Sequence, residues 1–173
     1  LPKAGKVEGV SKGRDGDEPR FDSSSRGLQL LVSLLNEMDI QGTFFMEGQT
    51  AEKIAQTHNL REIMRGHEVA FHGLAHEDLV GLDSGINLSD DEIKSRLRSG
   101  LEEVQKSTGC KPVGFRAPYL HIDERVLAFL PKLGMRYDSS LMQEIKGGMI
   151  APYRIGNLWE LPLATSRDKR DKK

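Results

Sequence analysis

His72 and His76 stand four residues apart, and they are the first residues in this chain whose types and spacing could do chemistry. If Gly73 to His76 curls helically, both imidazoles face the same way and can share one metal ion, as two-histidine zinc sites require. The alternative is a capping histidine beside a surface one. A catalytic zinc site takes three protein ligands and leaves a position for water, so two histidines alone do not complete it. Arg116, in Phe115-Arg116-Ala117-Pro118-Tyr119, places a guanidinium before a rigid proline. It could orient a carboxylate bidentately or form a surface ion pair. Asp138, followed by Ser139 and Ser140, is either the cap of a turn or an acid that orients a histidine. His67-Glu68 before His72 invites comparison with a zincin helix. The spacing of five and the strand-like alternation instead put the two histidines on opposite faces. Trp159 and Tyr119 could offer a sugar-stacking platform, although Trp159 reads as a core residue. Cys110 has no evident base nearby, and no Walker loop, Gly-x-Gly-x-x-Gly or Gly-x-Ser-x-Gly motif occurs.

The elements that must position these residues follow from periodicity. Residues Leu1 to Pro19 are polar and aperiodic and read as loop. Ser23, Ser24 and Ser25 offer caps for a helix with Leu28, Leu31, Leu34, Leu35 and Met38 at helical spacing. Gly42 to Met46 reads as a buried strand, followed by a helical segment from Thr50 to Met64 that breaks near His58-Asn59. Glu68 to His72 is a second strand. Ser89 and Glu92 form a capping-box pattern ahead of a helix with the stripe Ile93, Leu97, Leu101 and Val104, ending at Gly109. Pro112 to Arg116 is a third strand, and Asp123 caps a helix that stops at Gly134. Met135 to Asp138 and Asn157 to Pro162 complete five strands. Strict alternation implies parallel strands with right-handed crossovers, hence an α/β barrel or open sheet. Active sites in such folds gather where the strands end, which singles out His72, Arg116 and Asp138.

Composition narrows the function classes. The chain has 173 residues, 25 basic against 26 acidic side chains and a net charge of -1, so no whole-molecule field favours nucleic acid. The stretch from Leu28 to Leu35 is interrupted by Gln29 and Ser33, far short of a membrane span of about 20 apolar residues. Cys110 is the sole cysteine, which excludes an intrachain disulfide. The residues from Leu1 onward show no leader pattern, and compartment and oligomeric state stay open, cytoplasmic and secreted alike.

Taken together, six stretches resemble the polysaccharide deacetylase family, carbohydrate esterase family four, which includes chitin and peptidoglycan deacetylases. They are Gly42-Thr43-Phe44-Phe45, Gly66-His67-Glu68-Val69, His72-Gly73-Leu74-Ala75-His76, Gly114-Phe115-Arg116-Ala117-Pro118-Tyr119, Tyr137-Asp138-Ser139-Ser140 and Leu161-Pro162, covering Ser24 to Leu163. The resemblance implies a distorted (β/α) barrel and hydrolysis of N-acetyl groups on a polysaccharide or amino sugar by a divalent metal, zinc by default. It implies His72 and His76 as metal ligands, Arg116 as the brace of the catalytic base, and Asp138 as an acid behind the site. Pro118 and Tyr119 would line the substrate site, with the Tyr119 backbone N–H at the oxyanion. Family members usually follow the acid at position 138 with Arg, whereas this chain has Ser139. The family also carries paired acids at the end of an apolar first strand. Here the candidates for the third ligand and base are Asp15, Asp17, Asp22 or an upstream residue. The family's general-acid histidine lies on a later strand, and His121 is too near Tyr119 to match it.

These departures lead to the expectation of a fragment incomplete at both ends. Residues 1–22 would be a loop or the remnant of the first βα segment, 23–165 a partial deacetylase-like domain and 166–173 a charged tail. Two alternatives remain: a related hydrolase of cyclic amides or imides, and a degenerate barrel that binds a glycan or a protein.

Overall fold

The computed structural model describes residues 21–145 and 150–165. Asp15, Asp17 and the charged tail lie outside them. Helix α1 spans Phe21–Glu37, β1 Thr43–Met46, α2 Gly48–Ala55, α3 Leu60–Ile63 and β2 Glu68–Phe71. Then come α4 over Asp90–Thr108, β3 over Gly114–Phe115, α5 over Glu124–Phe129 and β4 over Tyr137–Asp138. The final strands are β5, Met142–Glu144; β6, Tyr153–Ile155; β7, Leu158–Glu160; and β8, Leu163–Thr165.

One six-stranded sheet runs β1-β2-β3-β4-β7-β6, all parallel except the β6–β7 hairpin. Among the described residues it is open. The C-terminal ends of β1, β2, β3, β4 and β7 therefore share one edge, where side chains distant in sequence meet. β5 and β8 form a separate parallel pair. The alternation expected from periodicity holds through β4. It then gives way to strands that no helix among the described residues separates: β5 and β8 in their own pair, and β6 in a hairpin with β7.

Local chemistry explains the boundaries. The Ser89 hydroxyl accepts from the Glu92 N–H while the Glu92 carboxylate accepts from the Ser89 N–H, the expected capping box, and Gly109 ends α4 in the left-handed region. Asp123 caps α5 through the N–H groups of Arg125 and Val126. The break after α2 falls where Asn59 caps α3. Helix α1 differs from expectation. It begins at Phe21, so Ser23, Ser24 and Ser25 lie inside it rather than capping it. Its buried residues are Ser25 and Val32, whereas Leu31, Leu34 and Met38 are exposed.

The core lies between α4 and the sheet. Leu97, Ile93 and Val104 of α4 are buried with Phe71 and Phe115, whose rings sit 5.4 Å apart across β2 and β3. Each such side chain contributes about 1.5–3 kcal/mol by leaving water. Trp159 departs from its expected place. It is 44% exposed on β7, its ring 4.8 Å beneath the Arg154 guanidinium, because its neighbours Leu158 and Glu160 take the inward positions of the pleat.

Candidate metal centre

Glu47, His72 and His76 each present a ligand atom, and these atoms lie within 4.8 Å of one another. Glu47 directly follows β1, His72 directly follows β2, and His76 closes the loop that begins at His72. Sheet register thus places Glu47 beside His72, since Met46 pairs with Phe71. The expected helical curl between the histidines does not occur. Gly73 and His76 both adopt positive φ, 83° and 52°, so the loop is a tight irregular turn that still brings the imidazoles to a centroid separation of 5.0 Å.

Buried Glu77 holds this turn together by accepting from the N–H groups of Leu74 and Ala75 at 3.0 and 2.7 Å. The turn is also docked from outside. The first amides of α2, Gly48 and Gln49, donate to the carbonyls of Gly73 and Leu74 at 2.9 and 2.8 Å. Gly100 of α4 meets the turn backbone so closely that an added Cβ would lie 2.9 Å from the Leu74 Cα and N.

His72 Nδ1 lies 2.7 Å from the Arg116 carbonyl, a geometry in which Nδ1–H donates and Nε2 is left for a ligand. Burial lowers the His72 pKa to about 4 and lowers that of His76 too, which keeps both rings neutral, the form that binds metal. Burial pushes the Glu47 carboxyl up, against the Thr50 hydroxyl that donates to it, and the charge of Glu77 pushes the same way. A desolvated carboxylate beside two neutral imidazoles suits a cation: hard oxygen and borderline nitrogen donors together fit a divalent transition metal.

The other expected site residues fall around this cluster. The Arg116 guanidinium donates to the carbonyl and hydroxyl of Ser139 at 2.9 and 2.8 Å and lies 4.1 Å above the Phe45 ring. Pro118 is buried against the turn, its Cγ 3.1 Å from where a Cβ on Gly73 would sit. Tyr119 has φ 57°, and its ring is 4.5 Å from that of His76. His121 follows at 5.8 Å from the Tyr119 ring and lies 3.4 Å from buried Asp78. Asp138 is fully buried and accepts from the N–H and hydroxyl of Ser140, the turn-capping alternative rather than a contact with a histidine. Asp22 is exposed in the first turn of α1 and does not belong to the cluster. His67 lies at the opposite end of β2, where it accepts the Gly42 N–H.

Glu47 is the member of the cluster that sequence reasoning missed. The signal was available: it occupies the same position after its strand as His72 does after the next.

The chain is thus an α/β fold whose parallel sheet carries a His-x-x-x-His turn at its C-terminal edge. Residues 19–137 match the family model described as polysaccharide deacetylase, and the chain belongs to that family. It is 28% identical over 156 residues to a peptidoglycan deacetylase of Helicobacter pylori, covering 85% of this chain and 50% of that protein. Chitin deacetylase 1 of Cryptococcus neoformans is 31% identical over 117 residues, 66% of this chain and 23% of that one. The chain thus spans half or less of these curated relatives. A solved Mycobacterium smegmatis structure assigned to the polysaccharide deacetylases superposes with a TM-score of 0.69 at 33% identity, covering 83% of this chain and 48% of that one. The open sheet is consistent with part of the family's distorted barrel.

Proposed function

We propose that this chain carries the metal-binding half of a hydrolase that removes N-acetyl groups from a polysaccharide or amino sugar. The observation that carries the reading is the convergence of Glu47, His72 and His76 at the C-terminal edge of a sheet whose family members are named deacetylases. Family membership and the names of the relatives support the substrate class; the donor set supports a divalent ion, zinc by default.

In this reading His72 and His76 supply imidazole nitrogens and Glu47 a carboxylate oxygen. These residues would hold a divalent ion, whose chemistry there would be to polarise an acetamide carbonyl and acidify water. The chain's own residues do the rest. The Arg116 carbonyl fixes the His72 ring, and Glu77 fixes the turn that carries His76. Pro118 and Tyr119 wall the site beside His76, so a sugar acetamide would enter along the Tyr119 face. The left-handed Tyr119 holds its own peptide group in one orientation, consistent with the oxyanion role that the resemblance implies.

Titration of the metal-free chain with zinc tests this reading by calorimetry. One ion is expected per chain, with affinity reduced at least about tenfold in His72→Ala and His76→Ala. Unchanged affinity in either variant would remove the assigned ligands. Assay of the longest natural form of the protein on chitin oligomers, peptidoglycan fragments and cyclic ureides then separates the substrate classes.

A further inference from the structure

Asp138 and Glu160 end adjacent strands in register, β4 and β7, and both carboxyls are fully buried. Register sets the two carboxyls side by side, and each acts on the other's ionisation. Asp138 accepts from the Ser140 hydroxyl at 2.7 Å and the Ser140 N–H at 3.1 Å, while Glu160 Oε1 accepts from the Leu141 N–H at 3.1 Å. Among the described residues no donor reaches Glu160 Oε2. A carboxylate offers only acceptors, so two facing carboxylates leave that oxygen without a partner, and a single retained proton supplies one.

The consequence extends beyond the pair. Ser140 Oγ, which donates to Asp138, also accepts the Ala117 N–H at 2.8 Å. That N–H belongs to the same peptide group as the Arg116 carbonyl, and the Arg116 carbonyl is the 2.7 Å partner of His72 Nδ1. An unbroken line of hydrogen bonds runs from the carboxyl pair, through one hydroxyl and one peptide group, to a histidine of the candidate metal centre.

We propose that Asp138 and Glu160 hold one proton between them and act as positioning residues for His72, setting its Nδ1 hydrogen bond through Ser140 and the Arg116–Ala117 peptide. The functional meaning rests on the reading of His72 as a metal ligand; the relay itself does not. When the pair loses its proton, Asp138 becomes a stronger acceptor for the Ser140 hydroxyl. That hydroxyl then draws harder on the Ala117 N–H, and the polarised carbonyl binds the His72 Nδ1–H more tightly, since bonds in such a chain strengthen one another. Burial, with Asp138 second, raises the Glu160 pKa to about 8, and burial raises that of Asp138 as well. The charged and titratable groups facing the pair are Arg116 at the end of β3, which favours ionisation, and Tyr153 on β6, directly opposite Glu160.

The test is proton–nitrogen NMR of the histidine rings in the metal-free chain between pH 6 and 10. The His72 Nδ1 proton is expected to move downfield in one step with a midpoint near pH 8. The step should vanish in Glu160→Gln, which keeps a hydrogen-bonding amide in place of the carboxyl. It should also vanish in Ser140→Ala, which keeps both carboxyls and cuts the line. That second variant gives the same decision if Glu160→Gln fails to fold. A His72 signal without the step, or a step that persists in Ser140→Ala, overturns the proposal. Because no metal is present, the result is separate from the zinc titration. A chain that shows the step but binds no zinc loses the metal reading and keeps the relay, and the reverse outcome does the opposite.

Discussion

At the scale of single residues, Glu47 and Glu160 are acidic groups held against the cost of burial, for different reasons. Glu47 has no Lys or Arg ion pair among the described residues and faces two imidazoles. Glu47→Gln keeps the Thr50 hydrogen bond possible and removes the charge, so zinc affinity should fall about 10–100-fold with little change in thermal stability. Calorimetry and thermal unfolding together check both halves of that expectation. Glu160 makes stability depend on pH in a definite direction. Its pKa rises from 4.5 to about 8 on folding, so the folded state holds the proton that the unfolded chain releases. The stabilisation is complete below pH 4.5, declines as pH rises and is lost above about 8. Urea unfolding of the metal-free chain at pH 6 and pH 9 should show lower stability at pH 9, and Glu160→Gln should lessen that difference. A wild-type chain equally stable at both values would contradict the raised pKa.

At the scale of elements, the strands and caps before β4 were legible because each strand lies in an apolar or aromatic run set between helices with their own caps, even where, as in β3, only two residues pair. The capping box at Ser89, the cap at Asp123 and the stripe Ile93, Leu97, Leu101 and Val104 all act locally, and local signals survive into the fold. The His72–His76 turn was legible in its residues but not in its shape. An i, i+4 pair suggests a helix, and the turn instead achieves convergence through two left-handed residues and the carboxylate of Glu77. Glu47 was obscured because the sequence does not announce which strand end faces which; only the register of β1 against β2 does. Helix α1 misled for a related reason, since leucine spacing identifies a helix without showing which face is covered. The turn's dependence on α4 gives an element-scale prediction. Gly100→Ala forces a Cβ to within 2.9 Å of the Leu74 backbone, which no rotamer change can relieve. The variant should displace the turn and weaken zinc binding at least as much as loss of one ligand, whereas Ser99→Ala, one residue away on α4, should leave it unchanged.

At the scale of the whole molecule, stability is concentrated between α4 and the sheet and is sparse along α1. Leu97→Ala should cost about 2–5 kcal/mol because Leu97 is fully buried in the main core. Leu34→Ser, on a side chain 51% exposed, should change stability by no more than about 0.5 kcal/mol. Chemical denaturation of the two variants distinguishes this distribution from one in which α1 is an equal partner. No helix among the described residues is long and apolar enough to cross a membrane. The edge that carries the candidate metal centre is assembled from five parallel strand ends, so its geometry depends on sheet register more than on any single loop.

The docking of α2 onto the histidine turn also makes the two an exchange-coupled unit. The amides of Gly48 and Gln49 stand at the start of a helix, where N–H groups usually face water and trade their hydrogens within seconds or less. Here they are protected only while the carbonyls of Gly73 and Leu74 stay in place. Their deuterium uptake therefore counts openings of the turn, and a divalent ion that held the turn in place would slow it.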